Sequence, residues 1–459
     1  MHYEKFQDGT IKCIEDEIPF EVPEGWAWCK LNDIYNFIDY RGATPTKITN
    51  GIPLVTAKNV KSGYIDYTID DYISEEEFKE RQQRGISKKG DILFTTEAPL
   101  GNAALADMEK FSAGQRLITF QQYGSKNELI NYVMLMFILS DFFQQQLYVN
   151  KTGSTVAGIK AAILKTLWIP VPPYNEQLRI SNTLKSAINL IDSISKNKEI
   201  LSTSISNTKS KILDLAIRGK LVPQDPNDEP ASVLLERISA EKEELIKQGK
   251  IKRDKKESVI FKGDDNSYYL RTGRVEESLE DWRFDDLPET WKICCLGELC
   301  DYGDCINVNT EDIAEDAWIL DLEDIEKDTG TVLKKVTKDQ RNSVSTKHKF
   351  HSGQVLYSKL RPYLNKVVLS DADGYCTSEI LPLEFKNCVL PEYARYYLMS
   401  GTFIAYANHC SYGVKMPRLG TTDGKKAIFS LPPLSEQKRI VETIDFCFVQ
   451  LNKISEALA

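Results

Sequence analysis

The stretch that decides the fold is VPPYNEQLRISNTLKSAINLIDSISKNKEILSTSISNTKSKILDLAIRGKL, residues 171–221. Pro172-Pro173 ends the preceding segment, because proline interrupts both a helix and a sheet ladder. Asn175 is a suitable N-cap, and Glu176 lies in the first turn, where the helix dipole favours negative charge. Gly219 ends the pattern. The sequence therefore predicts one helix of about 43 residues, or roughly 64 Å at 1.5 Å per residue.

Apolar side chains recur along this helix in a strict seven-residue repeat. The repeat holds for five heptads, which indicates a coiled-coil seam rather than a short globular helix. Lys198 and Thr208 also occupy seam positions, where a polar residue lowers stability but helps to fix the register. The apolar seam positions are Ile180, Leu184, Ile191, Ile194, Leu201, Ile205, Ile212 and Leu215.

The start of this helix recurs near the end of the chain. Residues 432–440 (PPLSEQKRI) share six of nine residues with residues 172–180 (PPYNEQLRI). Two seams in one chain predict that the two helices pack as an antiparallel coiled coil. The second helix stops at Ala459, about half the length of the first, so we expect it to cover only part of its partner. Its apolar seam positions are Ile440, Ile444, Leu451 and Ile454.

Two globular segments flank the central helix, and the second repeats the plan of the first. Val22-Pro-Glu-Gly-Trp26 is matched by Leu287-Pro-Glu-Thr-Trp291. A helix predicted over 129–148 is matched by one over 391–407, and the offset between the copies drifts only from 265 to 260 residues. Short strand-like runs between turn residues indicate a mostly β core in each segment. A duplication of this size is typical of a protein with two equivalent sites.

The predicted fold class is α+β, with two mostly β domains in tandem repeat separated by long helices that form an antiparallel coiled coil. A proline-rich connection at 221–230 leads into a charged helix over 231–250. The basic and polar residues 250–280 are interpreted as a solvated tether. The predicted domains are 1–171 (first globule with an N-terminal extension), 172–232 (central helix), 233–280 (charged helix and linker), 281–431 (second globule) and 432–459 (short distal helix).

The composition is that of an ordinary soluble protein, with 459 residues, 42% hydrophobic and 27% charged. No apolar run reaches membrane-spanning length, and the N-terminus lacks a signal-peptide pattern. Ten scattered cysteines favour reduced thiols, so we expect a cytoplasmic protein without membrane contact. The net charge of −9 argues against a protein that merely coats nucleic acid, but it leaves room for local basic surfaces.

Two motifs resemble enzyme signatures without meeting their requirements. Residues 153–160 (GSTVAGIK) resemble a phosphate-binding loop, but Ile159 separates the second glycine from Lys160. Pro172-Pro173-Tyr174 resembles the motif with which amino-methyltransferases hold the target amine. Val171 stands where that motif needs a side-chain amide or carboxylate, so the chain is not predicted to be the methyltransferase.

Metal and histidine chemistry are also disfavoured. A zinc site has six candidate ligands, but their spacing does not fit the paired patterns of zinc sites, and the first globule has no counterpart. The first globule has no histidine beyond the N-terminal tail, which excludes a duplicated histidine-dependent catalytic site. We therefore predict no catalytic residue, metal or cofactor in this chain. The six candidates considered were Cys294, Cys295, Cys300, Cys305, His348 and His351.

With catalytic and metal sites disfavoured, the remaining class of function is binding. Arginine, asparagine and glutamine have the geometry to read base edges in the major groove, while lysine and hydroxyl groups hold phosphates. Such residues cluster at comparable places in both globules, although each one alone is better explained as an ordinary surface residue. The candidate DNA-binding residues are Lys58, Asn59, Lys61, Gln115, Arg116, Ser154, Thr155 and Lys160 in the first globule, and Tyr357, Lys359, Arg361, Asn365, Lys366, Lys415 and Arg418 in the second.

These features together resemble the specificity subunit of type I restriction–modification systems. The Pro-Pro-x-x-Glu-Gln-x-x-Ile element at 172–180 and 432–440 is similar to the entry into that family's conserved helices. Residues 218–231 (RGKLVPQDPNDEPA) are similar to the exit from its central conserved region. The resemblance covers nearly the whole chain and makes the two globules target-recognition domains.

The resemblance implies a division of labour. Each target-recognition domain would read one half of a bipartite site in double-stranded DNA, and the central helix would set the spacing. Two modification subunits would dock on the helices and methylate adenines with S-adenosylmethionine. Restriction subunits would join and cleave unmethylated DNA with ATP and Mg²⁺. The expected setting is a bacterial or archaeal cytoplasm. The competing interpretation is a coiled-coil scaffold that carries two β-rich protein-interaction modules.

Overall fold

The computed structural model describes residues 3–6, 8–123, 129–153, 157–250, 258–265, 267–279, 287–341 and 344–458. Its contacts divide the chain into two compact units, Met1–Ser195 and Lys196–Ala459. The dividing point lies inside the long central helix, which runs unbroken from Tyr174 to Ile217 as the proline pair and Gly219 predict.

The first unit combines a four-stranded antiparallel sheet with smaller sheets, several short helices and the start of the long helix. The strand orders are β4-β10-β7-β8, β6-β5-β9, β11-β3 and β1-β2. The strands are β1 (Tyr3–Lys5), β2 (Ile11–Cys13), β3 (Ala27–Lys30), β4 (Tyr35–Asp39), β5 (Ile52–Val55), β6 (Tyr72–Ile73), β7 (Ile92–Thr96), β8 (Leu100–Leu105), β9 (Ser112–Ala113), β10 (Leu117–Gln122) and β11 (Trp168–Val171). The helices are α1 (Leu31–Ile34), α2 (Glu75–Arg81), α3 (Asn131–Ile138), α4 (Asp141–Val149), α5 (Ala161–Leu164) and α6 (Tyr174–Ile217), with a 3-10 turn at Gln82–Arg84.

The second unit repeats this plan with larger additions. Its strand orders are β16-β19-β22-β17-β18, β21-β20-β23, β15-β24 and β12-β13-β14. The strands are β12 (Ser258–Lys262), β13 (Tyr268–Thr272), β14 (Val275–Ser278), β15 (Lys292–Cys295), β16 (Ile306–Val308), β17 (Trp318–Leu320), β18 (Val336–Thr337), β19 (Lys347–Phe350), β20 (Val355–Ser358), β21 (Val367–Leu369), β22 (Gly374–Thr377), β23 (Ile380–Leu383) and β24 (Ile428–Leu431). The helices are α7 (Ala231–Lys247), α8 (Leu296–Leu299), α9 (Pro391–Leu398), α10 (Gly401–His409), α11 (Thr421–Lys426) and α12 (Leu434–Leu458).

A strand buried on both faces organises each globule. Because side chains alternate along a strand, Ile92 and Phe94 of β7 pack with helices α3 and α4, while Leu93 packs into a second cluster on the other face. In β20, Val355 and Tyr357 face helices α9 and α10, and Leu356 faces the other cluster. Strands β7 and β20 begin 263 residues apart, at Ile92 and Val355, which is within the offset of the sequence repeat, so the repeat extends to core packing.

The prediction of one continuous helix over 129–148, and of another over 391–407, is wrong in both copies. Each is two short helices, broken where a serine caps the second one. The Ser140 hydroxyl accepts from the N–H of Phe143 at 3.4 Å, and the Ser400 hydroxyl accepts from the N–H of Phe403 at 3.3 Å. A serine that bonds to the backbone in this way starts a new helix instead of continuing the old one.

The tether interpretation is wrong for residues 258–278. These residues form the three-stranded antiparallel sheet β12-β13-β14, in which Ile260 faces Leu270 across the first pair. Ile260 and Tyr268 pack against Ile293 and Ile428 of the second globule. The basic segment 251–257 lies outside the described residues. The polar composition concealed these strands because only a few of their side chains are buried.

A buried glutamine joins each globule to the helix that follows it. In the first unit, Gln177 accepts from the N–H of Ile130 at 2.8 Å and donates to the carbonyl of Pro172 at 2.9 Å. In the second, Gln437 accepts from the N–H of Leu390 at 2.8 Å and donates to the carbonyl of Cys388 at 2.9 Å. The repeated Glu-Gln pair therefore marks a clamp, in which a glutamine at the start of a long helix is hydrogen-bonded to the backbone just before α3 or α9 of the globule.

The predicted seam is buried only in part. Ile205, Ile440 and Ile444 are buried, and Lys209 donates to the Asn452 side chain at 2.6 Å, so the ends of α6 and α12 run antiparallel within the second unit. Ile180, Leu184, Ile212, Leu215 and Leu451 are half-buried. Ile191, Ile194, Leu201 and Ile454 are exposed, so this part of the predicted seam is uncovered. Helix α12 has 25 residues against 44 in α6, so a full-length seam is not formed.

We expect Gln437→Leu to destabilise the second unit. The substitution leaves the buried N–H of Leu390 without its acceptor, which costs about 1–3 kcal/mol of unfolding free energy. Urea unfolding followed by circular dichroism measures this change. Gln450→Leu, at an exposed position of the same helix, is the matched control and changes stability by less than about 0.5 kcal/mol. Equal effects of the two substitutions contradict the clamp.

Candidate nucleic-acid interface

A loop closes over the end of the central strand in the first globule. Beyond β7, Glu97 pairs with Gly158, and Thr152 pairs with Gly158 from the other side. The N–H of Ile159 donates to the carbonyl of Thr96 at 3.1 Å. Glu97, Thr152 and Gly158 are therefore held together beside the strand end.

The second globule has the same arrangement. Leu360 pairs with Arg418, and Tyr412 pairs with Arg418. The N–H of Leu419 donates to the carbonyl of Lys359 at 3.0 Å. Gly413 thus corresponds to Gly153, at the 260-residue offset of the sequence repeat.

Both strand ends contain a strained backbone position. Ala98 has φ 47° and Arg361 has φ 51°, and each directly precedes a proline. A left-handed conformation is rare for residues other than glycine, asparagine and aspartate, and such strain concentrates at functional sites. The shared position makes these two turns the leading candidates for the binding surface.

In the first globule the candidate residues line two clefts that share Gln115 and Arg116. One cleft, of about 570 Å³, also contains Lys160 and Arg41. The other, of about 170 Å³, also contains Lys58. The structure therefore brings together four of the predicted residues, contributed by strand ends and loops that are far apart in sequence.

The cations of the clefts are available to an incoming anion. Arg116 forms an ion pair with Glu97 at 3.1 Å, but both side chains are about half exposed, at 54% and 45%. An exposed pair of this kind contributes little stability and exchanges readily. Arg41 pairs with Asp39 through its Nε at 2.9 Å, which fixes the direction of its guanidinium. The site thus contains arginine and glutamine side chains that are oriented by their neighbours and still have hydrogen-bond donors available to a ligand.

Asn59 does not fit the predicted contact role. Its side chain is buried, accepts from the N–H and hydroxyl of Thr56 at 2.9 and 2.8 Å, and donates to the carbonyls of Asp66 and Thr68. These bonds make it the centre of a turn that supports Lys58. Lys61 lies outside both clefts, 4.0 Å from Asp66. Ser154 and Thr155 lie outside the described residues.

The loop of the second globule presents both apolar and basic side chains. Tyr412, Val414 and Met416 are exposed, as is Lys415 between them. Arg418 closes the loop and is held by Glu379, with its Nη2 2.9 Å from Oε1. Lys359 and Arg361 lie at the strand end that this loop covers, and the N–H of Arg361 donates to the carbonyl of Pro417 at 2.7 Å. Lys359, Arg361 and Arg418 are therefore brought together, and Lys415 lies exposed on the loop between Tyr412 and Arg418.

Three predicted residues of this globule serve the fold instead. Tyr357 is buried in the core, and burial raises the pKa of its hydroxyl. Asn365 is buried and donates to the carbonyl of Met399 at 3.3 Å. Lys366 donates to the carbonyl of Leu322 at 2.6 Å. Their interleaved basic and aromatic pattern arises because β20 and the following turn point alternate side chains inward.

The sequence analysis did not identify some side chains of the candidate interface. Arg41 has a detectable signal, since it forms an Arg-Gly pair directly after strand β4. Arg84, which donates to the carbonyl of Arg41 at 3.0 Å, has none. Glu379 is one of 67 acidic residues, and only the fold places it against Arg418.

The described residues contain no group of three or more metal-ligating side chains. Cys294, Cys295 and Cys300 are buried thiols, and His348 bonds through Nδ1 to the carbonyl of Ile380 at 2.7 Å. Their surroundings are those of core residues. Within the same described ranges, none of the helices combines the length and the apolar character needed to cross a membrane.

A sequence model of the type I restriction modification DNA specificity domain matches residues 23–202 and 288–457. The two matches cover most of the chain and fall once on each repeat. The chain belongs to this family. As a type I specificity subunit it is the DNA-recognition component of a restriction–modification complex, and the catalytic steps are not expected of it.

Individual relatives agree with this assignment. The specificity subunit of type I restriction enzyme EcoAI from Escherichia coli is 26% identical, over 96% of this chain and 80% of the relative. The EcoEI specificity subunit from Escherichia coli is 24% identical, over 99% and 83%. The crystal structure of the HsdS subunit from Thermoanaerobacter tengcongensis has a TM-score of 0.51 at 16% identity, over 96% of this chain and 93% of that one.

A second solved structure has the same fold. It comes from a study of assembly and conformational transition in a type I restriction–modification system. That chain has a TM-score of 0.56 at 16% identity, over 96% of this chain and 94% of its own length. These likenesses show a common fold over nearly the whole chain.

Thiol chemistry provides a test of the buried cysteine environments. Cys13 is exposed, whereas burial raises the pKa of Cys388 to about 11 and also raises the pKa of Cys294 and of Cys376 well above the ordinary value of a thiol. Because the thiolate is the reactive form, we expect an aromatic disulfide reagent at pH 8 to modify Cys13 first. Cys13→Ser removes this fast phase, and the buried thiols react on unfolding. A fast phase from Cys294 or Cys376 contradicts the described packing.

Proposed function

We propose that each globule reads one half of a bipartite DNA site. The observation that carries this proposal is the repeated strand end and covering loop, found once in each unit and bearing cations in both. Two copies with the same backbone plan suit two contacts of the same kind. Their side chains differ, with Gln115, Arg116 and Lys160 in one and Lys359, Arg361 and Lys415 in the other. Different side chains on one plan suit an asymmetric sequence.

The chemistry of the two surfaces assigns different tasks to different side chains. Arginine forms two parallel hydrogen bonds with guanine, and glutamine does so with adenine. Gln115, Arg116 and Arg361 are the proposed base readers, since they lie at the strand ends. Lys58, Lys160 and Lys415 are exposed and serve as phosphate contacts, which position the protein without reading sequence.

The long helix is proposed to set the distance between the half-sites. A continuous helix of 44 residues has a fixed length, so the unread spacer between the half-sites is constant. Its exposed apolar residues, Leu190, Ile191 and Ile194, are proposed to contact the modification subunits. Those subunits supply S-adenosylmethionine, and the restriction subunits supply ATP and Mg²⁺, so this chain needs no cofactor of its own.

The proposal is tested by mapping methylated adenines in host DNA with this gene present and deleted. A split motif with a fixed gap that disappears on deletion is the expected result. A palindrome of one half-site means that one globule reads in a dimer. If the map does not change and the purified chain does not bind DNA, the scaffold interpretation replaces the proposal.

Lys415→Gln separates phosphate contact from base reading. We expect binding to weaken equally on all sequences, and the slope of log affinity against log salt to fall in magnitude by about 0.9, as one released counterion predicts. Gln115→Ala is the contrasting variant. It relaxes preference at one base pair of one half-site by about 1–3 kcal/mol, read from binding to a set of single-base variants. A sequence-dependent effect of Lys415→Gln contradicts its assignment.

A further inference from the structure

The loop that covers the strand end of the second globule has an apolar tip. Residues 413–417 (GVKMP) form this tip. Val414 is fully exposed and Met416 is 47% exposed, with Lys415 exposed between them. A single exposed apolar side chain is ordinary, but two of them at the end of one loop, beside cations, indicate a contact surface.

The base of this loop is narrow and two-stranded. Tyr412 and Arg418 form an antiparallel pair, in which the N–H of Tyr412 donates to the carbonyl of Arg418 at 3.1 Å and the N–H of Arg418 donates back at 2.9 Å. The two Cα atoms of such a pair are about 5.5 Å apart. Gly413 has φ 97°, and an added Cβ would lie 3.1 Å from the carbonyl oxygen of Met416, so the chain reverses tightly here. The tip is therefore the end of a short ribbon.

Arg418 holds this tip in place. Its Nε lies 3.1 Å from both carboxylate oxygens of Glu379, and its Nη2 lies 2.9 Å from Oε1. Its remaining terminal nitrogen, Nη1, donates to the carbonyl of Met416 at 3.2 Å. The N–H of Arg361 donates to the carbonyl of Pro417 at 2.7 Å. A tip whose backbone is fixed in this way loses little conformational freedom when it binds a ligand.

The charges around the tip favour nucleic acid as its partner. Lys359 and Arg361 lie on the strand end that the loop covers, and Lys415 lies on the tip itself. None of these three cations forms an ion pair with another described residue. Cations of this kind neutralise phosphates, and the chain belongs to a family of DNA specificity subunits. Charge complementarity therefore favours DNA over a protein partner.

The width of the loop selects a groove, and its apolar side chains select a base. The major groove of B-form DNA is about 12 Å wide and admits a two-stranded ribbon, whereas the minor groove is only about 6 Å wide. In the major groove the bases present hydrogen-bond donors and acceptors, and thymine also presents its 5-methyl group. The side chains of valine and methionine offer no N–H or O–H donor, so they match this methyl group and not the polar edges.

We propose that Val414 and Met416 contact thymine methyl groups in the major groove of the half-site read by the second globule. The inference rests on the proposed function, in which each globule reads one half-site, and it adds the base that the loop tip recognises. Arg418 is a positioning residue in this arrangement, because its guanidinium is engaged by Glu379 and by the backbone of the tip.

The test compares thymine with uracil in DNA, because deoxyuridine differs from thymidine only in lacking the 5-methyl group. The full-length chain, in complex with its modification subunits, first selects duplexes from a random pool. Replacing the contacted thymine by uracil in a selected duplex weakens binding about fourfold per methyl group. Val414→Ala or Met416→Ala weakens binding to the thymine duplex by a similar factor but has little further effect on the uracil duplex. This double-mutant cycle identifies the contact.

Matched variants separate the contact from general effects. Val275→Ala, at an exposed valine of β14, leaves both the affinity and the preference for thymine unchanged. Arg418→Lys keeps the positive charge but loses the bond to the carbonyl of Met416. It lowers the ratio of thymine to uracil affinity, while the dependence of binding on salt stays the same.

The outcomes distinguish this inference from the proposed function. If the complex selects a split motif but binds thymine and uracil equally at every position, the inference is overturned and the proposed function stands. If no motif is selected, the proposed function fails and the inference fails with it. If Val414→Ala weakens assembly with the modification subunits and leaves DNA binding unchanged, the tip contacts protein and the inference is overturned.

Discussion

The structure depends on a buried side-chain amide that ties a long helix to a globule. Gln177 and Gln437 each bond to the first N–H of the globule's helical layer and to a carbonyl at the base of their own helix. An unpaired backbone N–H or carbonyl is costly to bury, so these bonds fix the angle at which each helix leaves its globule. The strand ends and their loops are built on the globule that this clamp anchors.

Much of this architecture can be predicted from the sequence because the same motifs occur in both halves of the chain. The proline pairs, the Glu-Gln pairs and the matched Trp26 and Trp291 locate equivalent positions without any knowledge of packing. The long helix follows from its caps and heptads. The same reasoning failed at Ser140 and Ser400, where a local side-chain bond breaks a helix that hydrophobicity alone would continue. It also failed at 258–278, where strands with few buried side chains resemble a linker.

The candidate site was harder to predict than the fold for a physical reason. A basic residue on a loop has the same sequence signature whether it faces solvent or supports a turn. Asn59 and Asn365 satisfy backbone groups, and Tyr357 fills the core, yet each resembles a DNA contact by type. Only the fold shows that Arg418 is positioned by Glu379, or that Arg41 joins Gln115 and Arg116.

The clamp has a consequence for how such proteins change. Each glutamine forms its hydrogen bonds with main-chain atoms and not with the side chains there. Gln177 bonds to the N–H of Ile130 and the carbonyl of Pro172, and Gln437 bonds to the N–H of Leu390 and the carbonyl of Cys388. The bonds of the clamp therefore do not depend on the side chains at these positions, although the helices also pack apolar side chains such as Ile180 and Ile440 against the globules. Residues 130 and 390 can therefore change identity without loss of the clamp, provided that the backbone there keeps its course.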